Sequence, residues 1–319
     1  MGRSQIFDYI RAFCALWVCA FWHLSNYSMT VHSWVQNNWT YNVTIGVLTM
    51  FVFVSGIFLG KQVAGTKAVL QFYTKRLIRI YPLFFLSAVT MQPLAGISLN
   101  NKILSLTGLS SFFGSSPSTL WFVIMLFFFY FITPILVFKD TYRYRITISI
   151  GMLLIICLLK YIAFSNMDIR ILMYLPFYMF AIIYGNVIKK GFKNTVLPWI
   201  SLSIFICISI GVNASELSSE LFTILFTWLS GSLFIYGVIG VCQQIFRGCN
   251  STLLNKLGYS SFCMYLFHRQ FWYNLVKWVN VDNNMIIVYA VYVPLLCVLS
   301  YFIQSGYDVL IDTVRKRRR

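Results

Sequence analysis

Three histidines, a few arginines set against apolar runs, and very few carboxylates are what this sequence offers for chemistry. Imidazole titrates near neutral pH, so a histidine kept neutral by burial can take a proton from a hydroxyl and later return it. His23 lies in the outer half of the stretch FDYIRAFCALWVCAFWHLSN, residues 7–26, which otherwise reads as a membrane span. An ionisable group inside such a run is costly and is by default a functional candidate. The other use of a histidine there is a hydrogen bond between helices. His268 falls near the middle of a later apolar run and is open to both readings, whereas His32 follows the first run and reads as a solvated loop residue.

Arg11 stands near the start of the same stretch, with Asp8 three residues earlier and within reach of an ion pair on one helix face. Snorkelling to the membrane interface would place an arginine there cheaply. The sharper reading uses the twelve-residue offset to His23, which spans about 18 Å of helix. A long donor gripped near Arg11 could then present its reactive end at His23. The second basic cluster is FYTKRLIRIYPLF, residues 72–84. Arg76 and Arg79 are three apart, so on a short helix they share a face from which guanidinium forks can grip phosphate oxygens. Basic residues ahead of a span also set topology, and that reading stays open. No carboxylate is expected at mid-membrane, which counts against ion-coupled transport and leaves histidine as the natural general base.

Helices in a bilayer must position these residues. A chain of 319 residues that is 59% hydrophobic and 10% charged, with a mean hydropathy of +0.75, is not an ordinary soluble domain. The expectation is an all-α, polytopic integral membrane protein of about ten transmembrane helices. Its apolar runs lie at roughly residues 9–27, 43–60, 81–99, 120–138, 146–164, 171–188, 195–213, 221–246, 258–276 and 285–307. Residues 1–319 read as one membrane-embedded domain, with 312–319 a basic cytoplasmic tail also attracted to anionic inner-leaflet lipid. The net charge of +17 could suggest nucleic acid, but the basic residues fall at the ends of apolar runs, so no nucleic-acid partner is expected. With both termini inside, 20 of the 25 basic residues, from Arg3 to the tail ending Arg318 and Arg319, fall on cytoplasmic segments, which favours N-in, C-in. Glu216, Glu220 and Asp282 are then assigned to outer loops. The eight cysteines show no C-x-x-C spacing and read as small buried apolar residues rather than a disulfide framework or metal site. The first run carries Arg11, lacks a small-x-small cleavage pattern and leads into further spans, so it is not expected to be a cleaved signal peptide. Asn38-Trp39-Thr40 and Asn42-Val43-Thr44 match glycosylation acceptors and are placed in the first outer loop.

Four blocks, in order, carry a resemblance. FDYIRAFCALWVCAFWH has an Asp, an Arg three later and a His near the far end of the first helix; MFVFVSGIFLG has Ser55 and Gly56. FYTKRLIRIYPLF supplies Phe72, Arg76, Arg79, Ile80 and Pro82, and LGYSSFCMYLFH supplies Ser261, Phe262, Tyr265 and His268. Together they resemble acyltransferase family 3, integral-membrane acyltransferases that include bacterial O-antigen and capsule O-acetyltransferases. Two departures stand out. The family usually places ten residues between its Arg and His, whereas eleven lie between Arg11 and His23. At ~100° per residue, the usual offset leaves the pair about 20° apart and this one about 120°. Either the first helix contains a π-bulge, or the two residues do not face one channel. The segment LWFVIMLFFFYFITPIL, residues 120–136, keeps Trp121, Tyr130 and Pro134 but lacks the glutamates of many members and resembles an LWF-type branch.

The resemblance implies an O-acyltransferase of the bacterial inner membrane. Acyl-CoA, most simply acetyl-CoA, would be the donor and a hydroxyl of a lipid-linked or surface polysaccharide the acceptor, with no permanently bound cofactor. Arg76 and Arg79, with Arg11, would hold CoA phosphates, and His23, held neutral by burial, would be the base. Ser55 and His268 are candidates for the oxyanion donor, with Asp8 and Trp121 in support. The chain shows no appended SGNH-type domain, so transfer is expected within the membrane domain. Succinyl is the alternative acyl group. A glycan or lipid transporter, or a scaffold of a polysaccharide assembly complex, is the reading from another class.

Overall fold

An apolar run in a bilayer has no water to satisfy its backbone, so it coils into a helix. The computed structural model describes residues 4–91, 99–113, 119–212 and 219–317. Among these residues it contains helices and no strand. The first, α1 (Ser4–Leu16), runs on through a π-helical turn (Trp17–Trp22) into a 3-10 turn (His23–Asn26). Then come α2 (Met29–Val35), α3 (Asn38–Ile57), α4 (Thr66–Met91), α5 (Leu99–Leu106), α6 (Ser110–Phe113) and α7 (Trp121–Leu136). Next are α8 (Tyr142–Leu158, extended by a π turn over Leu159–Ala163), α9 (Arg170–Lys189), α10 (Leu197–Gly211), α11 (Glu220–Ile245) and α12 (Thr252–Leu275). The short α13 (Met285–Ile287) leads through another π turn into α14 (Val293–Arg317).

Each expected apolar run falls on a helix, the third only as far as Met91, because 92–98 lie outside the described residues. Among the described residues, five helical stretches are by themselves long and apolar enough to cross a membrane: Asn38–Ile57, Tyr142–Ala163, Arg170–Lys189, Glu220–Ile245 and Asp282–Lys316. Their burial separates centre from rim. The first and third bury 78% and 72% of their apolar window, the second and fifth only 17%. Thus α3 and α9 form the middle of the bundle, while α8 and α14 present apolar side chains outward, as a membrane protein requires. The α3–α9 contact is backbone on backbone: a Cβ at Gly56 would stand 2.7 Å from the Tyr178 carbonyl oxygen, and one at Gly185 2.7 Å from that of Ile57. Small residues permit such approach where packing, not water exclusion, joins helices.

Several expectations are corrected. Residues 72–84 are not a short helix ahead of a span; they lie within the continuous α4, which passes through Pro82. Proline removes an amide and frees the carbonyl four residues back. Here that carbonyl, Ile78, accepts a hydrogen bond from the Tyr307 hydroxyl on α14. His32 lies on α2, where its Nε2 is 2.6 Å from the Gln36 side-chain amide. Asn38 and Asn42 lie on α3. Asn42 is buried and donates to the Ser209 and Val212 carbonyls at 3.2 and 2.8 Å, so its amide nitrogen is engaged inside the bundle. Glu220 opens α11 behind the cap Ser219 and pairs with Lys160 at 3.5 Å. Cys14, Cys19 and Cys263 are buried, but Cys207 and Cys249 are exposed on the bundle surface. Arg3, Glu216, Arg318 and Arg319 lie outside the described residues.

Candidate active site

Two helices from opposite ends of the chain build the site. A Cβ at Gly258 of α12 would meet the Asp8 carbonyl oxygen of α1 at 2.3 Å, so glycine lets the two helices touch. Tyr9 of α1 staples the same end, its hydroxyl accepting from the Ser251 amide (2.7 Å) and donating to the Cys249 carbonyl (3.3 Å). From this contact α1 and α12 run side by side in the same direction, and His23 meets His268 at the far end.

The phase problem posed by the Arg11–His23 spacing has a structural answer. The π-helical turn over Trp17–Trp22 takes up one extra residue, so the offset of twelve acts as eleven and returns the pair to within about 20°. A wide turn leaves backbone groups without their usual partners, and in an apolar setting each must find another. The Cys19 carbonyl accepts the indole N–H of the fully buried Trp272 at 2.7 Å. Trp272 lies one turn beyond His268 on α12, so the residue that satisfies the wide turn belongs to the helix that carries the second histidine.

His23 Nδ1 and His268 Nε2 are 2.7 Å apart. The rings are parallel to within 6° with centroids 4.8 Å apart. A contact that short between parallel rings places them edge to edge in nearly one plane, which is hydrogen-bond rather than stacking geometry. His268 Nδ1 lies 2.7 Å from the Tyr265 carbonyl oxygen, which can only accept, so Nδ1 carries a proton. Nε2 of neutral His268 is then an acceptor for His23 Nδ1–H, and His23 Nε2 keeps its lone pair. The carbonyl of Tyr265 thereby sets the tautomer of both rings.

A cavity of about 260 Å³ lies below this pair. Arg11, Arg76 and Arg79 line it together with Ser55, Ser261 and Tyr265. Arg11 pairs with Asp8 at 3.7 Å. The Arg76 guanidinium sits 5.6 Å from both the Phe72 and Tyr130 ring centres, gripped between an aromatic one turn back on α4 and one on α7. Arg76 and Arg79 form no ion pair among the described residues. Three guanidiniums with one carboxylate beside them leave this cavity with an excess of positive charge. At the inner end, Phe51, Phe122 and Tyr265 form a collar with centroid separations of 6.0, 6.4 and 5.3 Å, and the Tyr265 hydroxyl donates to the Thr119 carbonyl at 2.8 Å. Tyr265 both lines the cavity and holds His268.

The match to known families decides the class. The family model described as an acyltransferase domain covers residues 5–304. The chain belongs to acyltransferase family 3. No curated protein and no solved structure matches it.

In this acyltransferase, the residues singled out in the sequence fall into two connected groups. Arg11, Ser55, Arg76 and Arg79 line one cavity, with Asp8 on Arg11, and His23 joins His268 beyond the collar. The Ser55 hydroxyl donates to the Phe51 carbonyl at 2.8 Å. Trp121 lies outside the cavity lining; its ring stacks on Tyr174 and carries the Arg170 guanidinium 3.9 Å from its centre. Arg170 is also held by Asp168, with Nε 2.7 and 2.9 Å from the two carboxylate oxygens. The Asp168–Arg170–Trp121 cluster was not visible from spacing, since Trp121 lies on α7, far in sequence from the neighbouring Asp168 and Arg170. Arg269 was passed over although it follows His268 directly: its Nε is buried without a hydrogen-bond partner among the described residues.

Proposed function

We propose that this membrane acyltransferase moves an acyl group, acetyl in the simplest case, from cytoplasmic acetyl-CoA to a hydroxyl of a lipid-linked or surface glycan. The proposal includes ten spans with both termini inside a bacterial inner membrane. One observation supports it above the rest: the arginine-lined cavity leads to a collar whose Tyr265 holds the histidine pair. Arg76 and Arg79, with Arg11, take the CoA phosphates, and the pantetheine arm rises between α1, α4 and α12 toward the collar.

His23 Nε2 removes the acceptor hydroxyl proton as that oxygen attacks the thioester carbonyl carbon. The new C–O bond forms while the carbonyl becomes an oxyanion. Ser55 and His268 have their donor hydrogens committed to carbonyls in this geometry, so the donor proposed for that charge is Arg269, next to His268 in sequence, with its buried Nε unpartnered among the described residues. The C–S bond then breaks, the proton passes from His23 to the leaving thiolate, and the products are the glycan ester and CoA. His268 holds His23 oriented throughout.

The test is mass spectrometry and proton NMR of the host's surface polysaccharide. A deletion strain is compared with strains re-expressing the parent chain or His23→Ala at matched membrane levels. Loss of one ester-linked acyl group per repeat, restored by the parent and not by the variant, is expected, and the mass lost distinguishes acetyl from succinyl. An unchanged acylation pattern with altered polysaccharide amount or location would replace acyl transfer with transport or assembly.

A further inference from the structure

A second basic cavity, of about 480 Å³, lies at the end of the bundle where α9 turns into α10. Lys189, Lys190, Lys193 and Arg247 line it and no carboxylate does. None of the four forms an ion pair among the described residues. The loop that carries them is held in shape from α11. The Gln243 side-chain oxygen accepts from the Phe192 amide at 3.1 Å, and the Gln244 side-chain amide donates to the Thr195 carbonyl at 2.8 Å. Cations on a fixed loop lose less freedom on gripping an anion than cations on a loose one.

Phe192 is a wall of this cavity and also of an apolar groove of about 550 Å³ between α9 and α11. The groove extends from Pro176 and Trp228 at one end to Ile188 and Ile239 at the other. At 1.5 Å per residue that is about 16 to 18 Å, close to the ~15 Å of one leaflet in a 30 Å hydrocarbon core. Phe192 packs against Tyr236, with centroids 4.5 Å apart, where the groove meets the basic cavity. Phe180 and Val187 along the groove are exposed on the bundle surface.

We propose that groove and cavity together are a binding site for one anionic phospholipid. Its acyl chain lies between α9 and α11, and its phosphate is held by Lys190, Lys193 and Arg247. Charge complementarity selects an anionic head group, and the leaflet-length groove selects a lipid over a soluble phosphate. The site is independent of the acyl-transfer chemistry, since none of these groups lines the arginine cavity.

Native mass spectrometry of the full chain released from nanodiscs tests this, with equal phosphatidylglycerol and phosphatidylcholine. The parent is expected to retain phosphatidylglycerol at least tenfold over phosphatidylcholine. The triple variant Lys190→Gln, Lys193→Gln, Arg247→Gln is expected to lose that preference with an unchanged thermal midpoint. Ser232→Phe, which fills the groove from α11 and leaves every cation in place, is expected to lower total retained lipid by the same order. Equal retention of the two lipids by the parent, or undiminished preference in the triple variant, overturns the proposal. So does a triple variant that loses phosphatidylglycerol while Ser232→Phe keeps it, which marks a phosphate site without a chain. Displacement of phosphatidylglycerol by added CoA overturns it in favour of a nucleotide site.

Discussion

Trp272→Phe should impair acyl transfer while leaving donor binding intact. The variant keeps an aromatic ring in a fully buried position but removes the N–H that the Cys19 carbonyl accepts at 2.7 Å. An orphaned buried carbonyl costs about 1–3 kcal/mol. At about 1.4 kcal/mol per tenfold, that disfavours the wide turn by roughly 5- to 150-fold. When the turn relaxes to ordinary α-helix, His23 swings by about 100° and shifts by about 1.5 Å, away from His268. Misplacement on that scale costs of order a hundredfold in rate. The arginine cavity lies at the other end of α1, so calorimetric affinity for CoA should stay at the parental value while acyl groups per polysaccharide repeat fall. Deleting Ala20 supplies the control. One residue fewer in the wide turn gives a regular helix with the histidine in phase and no orphaned carbonyl, so Trp272→Phe in that background should cost less than about threefold, the residue of an ordinary packing change. A parental rate in Trp272→Phe, or the same loss with and without Ala20, refutes the role given to the wide turn.

Other substitutions probe the remaining supports. Arg76→Gln should weaken CoA binding by about ten- to a hundredfold, the worth of a charge-assisted hydrogen bond, and calorimetry should show Arg76→Lys recovering only part of it because lysine lacks the fork held between Phe72 and Tyr130. Gly258→Ala sets a methyl against the Asp8 carbonyl, an overpacking worth about 1–3 kcal/mol that should appear as a lowered unfolding midpoint. Asp282→Ala removes the acceptor of the Ser28 hydroxyl and Thr30 amide at 2.6 and 2.9 Å, so amide exchange across Met29–Val35 should quicken while that of α9 does not.

Part of what the structure brings together in the candidate site could be read before the fold was known, for reasons that particular residues make plain. The odd spacing of Arg11 and His23 translates directly into a helix phase, so the π turn was one of two outcomes that arithmetic allowed. Arg76 and Arg79 share a face because residues three apart on any helix do. Pairing across elements is a different matter. Nothing local to His23 says that α12 lies beside α1, and the permitting feature, Gly258, looks like any glycine until Asp8 is seen against it. The passage of α4 through Pro82 was not legible, because the Ile78 carbonyl that the proline frees is satisfied from α14, more than two hundred residues away in sequence. Asn42 reads as an outer-loop acceptor until the carbonyls of Ser209 and Val212 occupy its amide.

That continuity of α4 has a further consequence. One arm carries Arg76 and Arg79; the other is fastened beside the histidines, where Ser87 donates to the Leu266 carbonyl at 2.7 Å and accepts from Gln270 at 3.1 Å. Arg79 and Ser87 are eight residues apart on one rod, about 12 Å. In the proposed reaction, the grip on the donor's phosphates and the scaffold of the base would therefore be two marks on a single gauge. A donor bound as proposed would be measured by the reach of its arm between phosphate and thioester, and one too short to span the marks should fail to react however well its phosphates are held.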